Sequence, residues 1–544
     1  MSDRNSDARD GRIPLRVRVG VSGHRHIRGD ARLEARVEEA LGSIRRLAPV
    51  SAATPVTFTV VSALAEGADR LVARAVLEAA GADLEAPLPL PRDDYTRDFE
   101  SDASKREFAD LLAKAREVTE LPTRGTRSDA YAQVGRYIVD RCDVLTAIWD
   151  GDAARGEGGT ADVVAYARQR GTPLVWIDPA RAGGIVVEAA EVGGRSRLEI
   201  DRFNRSAISR TGFGREVRRQ TLKRVDGAAR AGGSGLPVRA LSDWLWPYYV
   251  RADVLAERYQ RWYQALGTGL FLMAAGAVAA AAAQVLFAPD TPQLGWVEIG
   301  LMLGLLAIVW IGRRRRLHDR WISYRFLAER FRSAFFLALA GLGERREGGA
   351  ARLHPGHETE EWLRRAFAEV WSARPRVEPT AVDVEPLRRF LADAWIDDQA
   401  AYHRRASERN ERGHRWVTAA IAGLFALTLV AALLHSVGFG GHGEEHGTEA
   451  AGGFPTADML TFLAIALPAL GGALGGIRAQ QEFVRQAERF AMMVHHLGAA
   501  ADRMRAAQNL DTIRAVAAEA EDLMLEENRD WFVVVRFHDF ELHV

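Results

Sequence analysis

The pattern of apolar and polar positions divides this chain into two kinds of segment. Ala265 to Ala288 carries no formal charge and is interrupted only by Thr268 and Gln284. A short turn, Pro289 to Gly295, leads into Trp296 to Gly312, whose single charge is Glu298. As a helix, an apolar run of about 18 or more residues is long enough to cross the hydrocarbon core of a bilayer. Two such runs joined by so short a turn predict a membrane hairpin. The pattern recurs at Trp416 to Gly438 and Met459 to Ile477, across a loop rich in Gly and Glu. Four spans are expected, at about 265–288, 296–312, 416–438 and 459–477.

Ahead of the spans the period changes. Leu15 to Val21, a β-branched run, and Val56 to Val61, Asp83 to Leu90, Val144 to Trp149 and Pro173 to Ile177 read as strands. Helical stretches separate them at Ala31–Leu47, up to Ala80, from about Asp102 to Val118, at Tyr131–Arg141 and at Thr160–Arg170. Strands alternating with helices predict a Rossmann-like, doubly wound, mostly parallel α/β sheet over about residues 15–179. Pro87, Pro89 and Pro91 make the end of the third strand an expected edge or exit. The fold class is thus an N-terminal α/β domain plus an all-α membrane domain with long cytosolic helical extensions.

Composition changes this picture in two places. Arginine placement orients the spans. The loops Pro289–Gly295 and Phe439–Ala457 hold no Lys or Arg, whereas Arg258, Arg261, Arg313–Arg316, Arg412, Arg415 and Arg478 flank the opposite ends. By the positive-inside rule both termini are expected in the cytoplasm of a multi-pass protein in the bacterial inner (cytoplasmic) membrane. Met1 to Arg12 lacks an apolar stretch, so the first span is expected to act as the insertion signal. The second change is an exclusion. With 72 basic and 72 acidic residues the chain has no net field to draw nucleic acid, and none is expected as a partner. A lone cysteine, Cys142, excludes an intramolecular disulfide framework and reads as a small buried apolar residue.

In doubly wound sheets the ligand crevice lies outside the carboxyl ends of the strands. Three loops on that edge pair Gly with Ser or Thr just ahead of a helix: Ser22-Gly23-His24-Arg25, Ser62 to Gly67, and Gly151 to Thr160. Bare backbone N–H groups and a helix N-terminus there suit an anion. Arg25 and Arg70 could add bidentate phosphate contacts. The candidate binding residues are Ser22, Gly23, His24, Arg25, Ser62, Glu66, Gly67, Asp69, Arg70, Trp149, Gly158, Gly159, Thr160 and Asp162. They point to a nucleotide-derived ligand. His24 and His26 have no further ligands nearby in sequence, so no metal is expected, nor any other cofactor or catalytic group.

Gly23-His24-Arg25, the stretch Ala65-Glu66-Gly67-Ala68-Asp69-Arg70, and Gly158-Gly159-Thr160 resemble the SLOG superfamily, the Rossmann-like fold shared by the DNA-processing protein DprA and the LOG phosphoribohydrolases. The resemblance covers about residues 15–179. It implies binding of a nucleotide or a nucleotide-derived second messenger. The LOG pattern Gly-Gly-x-Gly-Thr-x-x-Glu sets a catalytic Glu three residues after Thr. That position here is Val163, Glu157 replaces the second Gly, and Asp162 falls about 100° off on the helix. These departures favour a ligand sensor over a hydrolase.

Residues 180–243 are rich in Arg, Gly and Ser, and a solvated insertion is the expectation for them. Trp244, Trp246, Tyr248 and Tyr249 then suggest a membrane-proximal surface. Ala328-Glu329-Arg330-Phe331 after the second span and Ala487-Glu488-Arg489-Phe490 after the fourth indicate an internal duplication. A two-span hairpin followed by a cytosolic helical segment resembles the SLATT family, over about residues 244–340 and again 395–544, with a helical connector at 341–394. Families of this kind are thought to be membrane effectors in prokaryotic antiviral defence. Together the two resemblances imply an inner-membrane effector gated by a nucleotide-derived ligand, acting on the lipid bilayer as a homo-oligomeric pore or disruptor. A membrane-tethered nucleotide N-glycosidase using Asp69, Glu66 or Asp162, and a scaffold recruiting a partner, are the alternatives.

Overall fold

A computed structural model gives the protein's architecture for residues 10–536, apart from 26, 28–30, 80, 123–124, 153–158, 180–184, 189–190, 292, 294, 343–357, 376–382 and 440–455. The chain forms two compact units, residues 1–207 with 347–373, and residues 208–346 with 374–544.

The first unit is built on seven strands: β1 (Leu15–Gly23), β2 (Val56–Val61), β3 (Asp83–Leu88), β4 (Glu117–Glu120), β5 (Val144–Ile148), β6 (Leu174–Ile177) and β7 (Val186–Glu188). Their order is β4-β3-β2-β1-β5-β6-β7, parallel except for β7 against β6. Helices α1 (Ala31–Leu47), α2 (Ala68–Glu78), α3 (Asp102–Ala113), α4 (Arg127–Arg141) and α5 (Thr160–Arg170) fill the crossovers. Val17, Val19, Val60, Leu84 and Leu145 are wholly or almost wholly buried, as expected for strands covered on both faces.

Two strands depart from expectation. The helix expected to reach Val118 ends at Ala113, and Glu117–Glu120 is a mostly exposed edge strand whose charges discourage further pairing. It pairs with β3, so β3 is internal despite its prolines. The backbone explains this. Leu84 and Leu88 accept bonds from Arg116 and Leu121 on the β4 side, whereas Glu85 accepts from Ser62 on the β2 side. Pro87 therefore faces β2, where pairing ends at Glu85, and its missing N–H costs no ladder bond.

The expected solvated insertion is instead structured. Helix α6 (Gly194–Arg205) docks on the sheet unit through Asn204, which accepts from Ile13 N at 2.9 Å and donates to Ile13 O at 2.7 Å. Asp201 accepts from Ser51 and Thr54. A return helix, Glu358–Ser372, packs against α6 and adds Trp362, Leu363, Ala366 and Val370 to this core. Arg16, in β1, makes a two-pronged bond to Glu369, and Arg365 reaches Asp143 at 2.5 Å, just ahead of β5. Both partners of the first pair are largely buried. Arg16 keeps its pair with Asp83 when Glu369 is removed, so the loss is that of a charge-assisted hydrogen bond, about 1.5–3 kcal/mol. Glu369→Ala should therefore release the return helix, read as lost hydrogen-exchange protection over 361–372 in the full-length protein.

In the second unit, α7 (Arg210–Arg230) packs on α8 (Val238–Phe287), and α8 runs unbroken through the first apolar stretch. It is followed by α9 (Gly295–Arg315), α10 (Leu317–Leu339), α11 (Val384–Leu391), α12 (Asp398–Ser436), α13 (Thr456–Gln481), α14 (Phe483–Ala506) and α15 (Leu510–Arg536). Four of these helical segments are long and apolar enough to cross a membrane. Their outer faces are apolar, with Leu303, Leu306, Trp310, Trp416 and Leu433 each more than half exposed. The halves repeat one arrangement. α8 packs along α9 and α10, as α12 packs along α13 and α14. A left-handed residue breaks each second helix, Arg316 at φ 46° and Glu482 at φ 45°.

One reading of this unit changes. Trp246 and Tyr248 are core residues: Trp246 is fully buried and stacks on Phe335 at 4.8 Å. Arg224 lies over the Trp246 and Phe336 rings, and Phe336 stacks on Trp395, so these aromatics tie α7, α8, α10 and the turn before α12 together. Of the glycines on α13, Gly471 and Gly476 receive the rings of Phe425 and Phe271, whereas Gly472 and Gly475 have open space before them. Close helix approach thus uses one glycine of each Gly-x-x-x-Gly step.

Candidate functional site

The strand order reverses between β1 and β5, because β1 continues to β2 on one side and β5 continues to β6 on the other. Crossovers leave that point in opposite directions and open a crevice at the carboxyl ends. A cavity of about 460 Å³ occupies it. That is within the range of small-molecule sites.

Eight of the sequence candidates line this cavity: Ser22, Gly23, His24, Arg25, Asp69, Trp149, Gly159 and Thr160. His24 Nε2 lies 3.0 Å from Asp150 Oδ1 and 3.3 Å from Asp150 N, which joins the β1 and β5 loops across the switch point. Trp149 donates its indole N–H to Asp152 O, and Trp176 donates to Trp149 O, fixing the indole at the rim. Gly159 caps α5 with no side-chain bond, so the first amides of α5, at the lining residues Thr160 and Ala161, carry the positive end of the helix dipole.

The other candidates hold the loops instead of lining the cavity. Ser62 donates to Asp69 Oδ2 at 3.0 Å and accepts from Leu64 N. Glu66 accepts from Ser104 Oγ and from Glu100 N. Arg70 is 2 % exposed and clamps Leu64 O, Ser104 and Glu107, with its guanidinium over Phe99 at 4.6 Å. It is a structural residue, not the expected phosphate ligand. Asp162 is exposed on α5 and turned from the cavity, which is lined by its neighbour Val163. Gly158 and His26 lie outside the described residues.

Gly23 and Gly67 also differ from expectation. A Cβ on Gly23 would stand 2.3 Å from Ala68 Cβ and 2.8 Å from Ile148 O. Gly67 has φ 82°, and its Cβ would meet Arg25 O at 2.3 Å. These glycines serve the close packing of the β1 loop on α2, bonded from Ala68 N to His24 O at 3.2 Å.

Sequence reasoning missed Tyr95, Tyr131, Asp150 and Asp152. Tyr95 follows the carboxyl end of β3, an edge position by the same rule that selected the other three loops. It was hidden because the prolines marked that strand as an exit. Its ring packs against Phe99, Phe108 and Tyr131. Arg25 lies over the Tyr131 ring at 4.7 Å, and Tyr131 donates to Asp98. Burial is the largest influence and opposes the Arg25 charge, but the bond to Tyr131 and the charges of Tyr131, Tyr95 and Asp98 together outweigh it, and the pKa lies above the ordinary arginine value.

Burial, only partly offset by bonds from Ser62 and Ala65 and by the charges of Arg25 and Arg70, raises the Asp69 carboxyl to about 6. Burial also pushes the Cys142 thiol up to about 12, consistent with a small apolar role. Among the described residues no group of three or more His, Cys, Asp or Glu is placed to hold a metal. The cavity thus offers a cation, a titratable carboxyl, an indole, an apolar wall and a helix N-terminus. No protein-family model matches this chain, and no curated protein matches it in sequence.

Proposed function

We propose that this chain is a membrane sensor–effector. A nucleotide-derived ligand binds at the β1–β5 switch point, and its occupancy alters how the four apolar helices pack, within a homo-oligomer that opens a pore. The reading rests chiefly on one observation: eight of the candidates, from the β1 loop, helix α2 and the segment from β5 into α5, line one cavity at the switch point of the sheet. The resemblance to the SLOG and SLATT families supplies the antiviral-defence context.

The chain itself supports a route for coupling. The return helix belongs to the sheet unit, yet the chain runs from the helical unit into it and back again. It also lies between the first and second hairpins in sequence. We take the return helix, tied to β1 by Arg16–Glu369 and to the residue ahead of β5 by Arg365–Asp143, as the proposed coupling element.

A hydrolase reading retains one supporting residue. Glu66 is engaged by Ser104 and Asp162 faces away, but Asp69 lines the cavity with a carboxyl that titrates near neutrality, as a general acid requires. Against it, the position of the LOG glutamate faces the cavity as Val163. Incubating the detergent-solubilised full-length protein with ribonucleotides, cyclic dinucleotides and ADP-ribose, then recovering the nucleotide for mass spectrometry, separates the two. Binding with intact recovery is expected, and a cleaved N-glycosidic bond would replace the sensor with an enzyme.

Membrane topology has its own test. The Cys142 thiol should stay silent, so Asp290→Cys in the first hairpin turn introduces one reactive thiol. An impermeant maleimide should label it from outside intact cells. Labelling only after lysis would reverse the orientation.

A further inference from the structure

The most buried polar groups of the cavity lining are Tyr95 and Asp69, and Arg25 lines the cavity with them. Tyr95 has no exposed surface, yet its hydroxyl has no hydrogen-bond partner. An unmet buried hydroxyl costs about 1–3 kcal/mol, so an otherwise well-packed aromatic cluster carries a polar atom at a price that packing alone would remove by using Phe. Asp69 is 5 % exposed, with one carboxylate oxygen committed to Ser62 Oγ and close to Ala65 N. Burial first, and then the neighbouring Asp69 charge, hold the Tyr95 phenol well above its ordinary range, so it stays a protonated donor.

We infer that this part of the cavity reads the ribose hydroxyls of the nucleotide and not its phosphate. The inference rests on the proposed function and assigns the orientation of its ligand. An ionised carboxylate only accepts, so the group beside Asp69 must donate. The Tyr95 hydroxyl donates, so the same group must also accept. A vicinal diol does both. A phosphate offers acceptors alone at neutral pH and would set its charge against Asp69. The anion belongs at the opposite side of the cavity, where the α5 N-terminus presents Thr160 and Ala161. Arg25, held over Tyr131, stands beside the diol and fixes the β1 loop around it.

The test uses the full-length protein with each of the four ribonucleoside 5′-monophosphates and ADP-ribose, compared with their deoxyribose and dideoxyribose analogues. Binding is measured by calorimetry for wild type, Tyr95→Phe and Asp69→Asn. A site built to pair a hydroxyl rejects the analogue lacking it. Removing the diol should weaken wild-type binding at least tenfold, and both variants should lose that discrimination while melting no lower than wild type without nucleotide. If wild type binds a ribonucleotide and its dideoxy analogue equally, the inference fails and the proposed function stands. Wild type binding none of these probes overturns both. Tyr95→Phe keeping full discrimination would remove Tyr95 from the subsite and sink the assignment.

Discussion

Gly67→Ala is expected to collapse the β1–α2 side of the cavity. Gly67 sits at φ 82° and ψ −117°, a region in which a side chain is strained by about 1–3 kcal/mol. Its new Cβ would also fall 2.3 Å from Arg25 O and 2.6 Å from His24 O, both backbone atoms that no side-chain rotation relieves. The total cost should be about 3–5 kcal/mol. Hydrogen exchange on the full-length protein should show protection lost over Ser62–Glu78 and the β1 loop, with β6 and the helical unit unchanged. Protection equal to wild type would mean that the two loops do not pack as described.

The second large effect has the opposite sign. Asp69 has its folded-state pKa raised from 3.8 to about 6. A raised acid favours the folded state in its protonated form. Its contribution is therefore complete below about pH 4 and is lost as pH rises through 6. The full span is on the order of 3 kcal/mol. The wild-type sheet unit should gain that stability between about pH 7 and pH 4, over and above whatever Asp69→Asn shows. At pH 8 the Asn variant should be the more stable unliganded protein, since its amide keeps an acceptor for Ser62 and carries no buried charge. Proton-dependent exchange protection of α2 in both proteins measures the difference. A pH-independent gap would remove Asp69 as the titrating group. A binding site that costs the empty protein stability is common where function requires an unmet charge.

The elements legible in the sequence were those whose signal is local. Four apolar runs needed only length, and β1, β2 and β5 were legible because each is rich in β-branched and other apolar residues over a strand's length. Glu117–Glu120 failed because an exposed edge strand has no apolar face to betray it. The return helix failed for a different reason. Its docking partners, Arg16 and Asp143, lie hundreds of residues earlier in the chain, and amphipathic periodicity does not say which surface a helix covers. Trp246 read as interfacial because an aromatic cluster near a span looks the same in sequence whether lipid or protein surrounds it.

The site divides along the same line. The rule that ligands sit at the carboxyl ends of the strands pointed to the right edge of the sheet, where Ser22, His24, Arg25, Trp149 and Thr160 line the cavity. Which basic residue faces the ligand did not follow from it. Arg25 and Arg70 looked equivalent, but Arg70 is consumed by Leu64, Ser104 and Glu107. Likewise Glu66 and Asp69 are three residues apart, and only the structure turns one to Ser104 and the other to the cavity.

The most direct test of the sensor–effector account is ion flux from vesicles reconstituted with the full-length protein. A nucleotide that the wild type binds intact should start flux, and Arg25→Ala, which removes the cavity's cation, should reduce the response at the same nucleotide concentration. Flux that ignores nucleotide, or no flux at saturating occupancy, would contradict it.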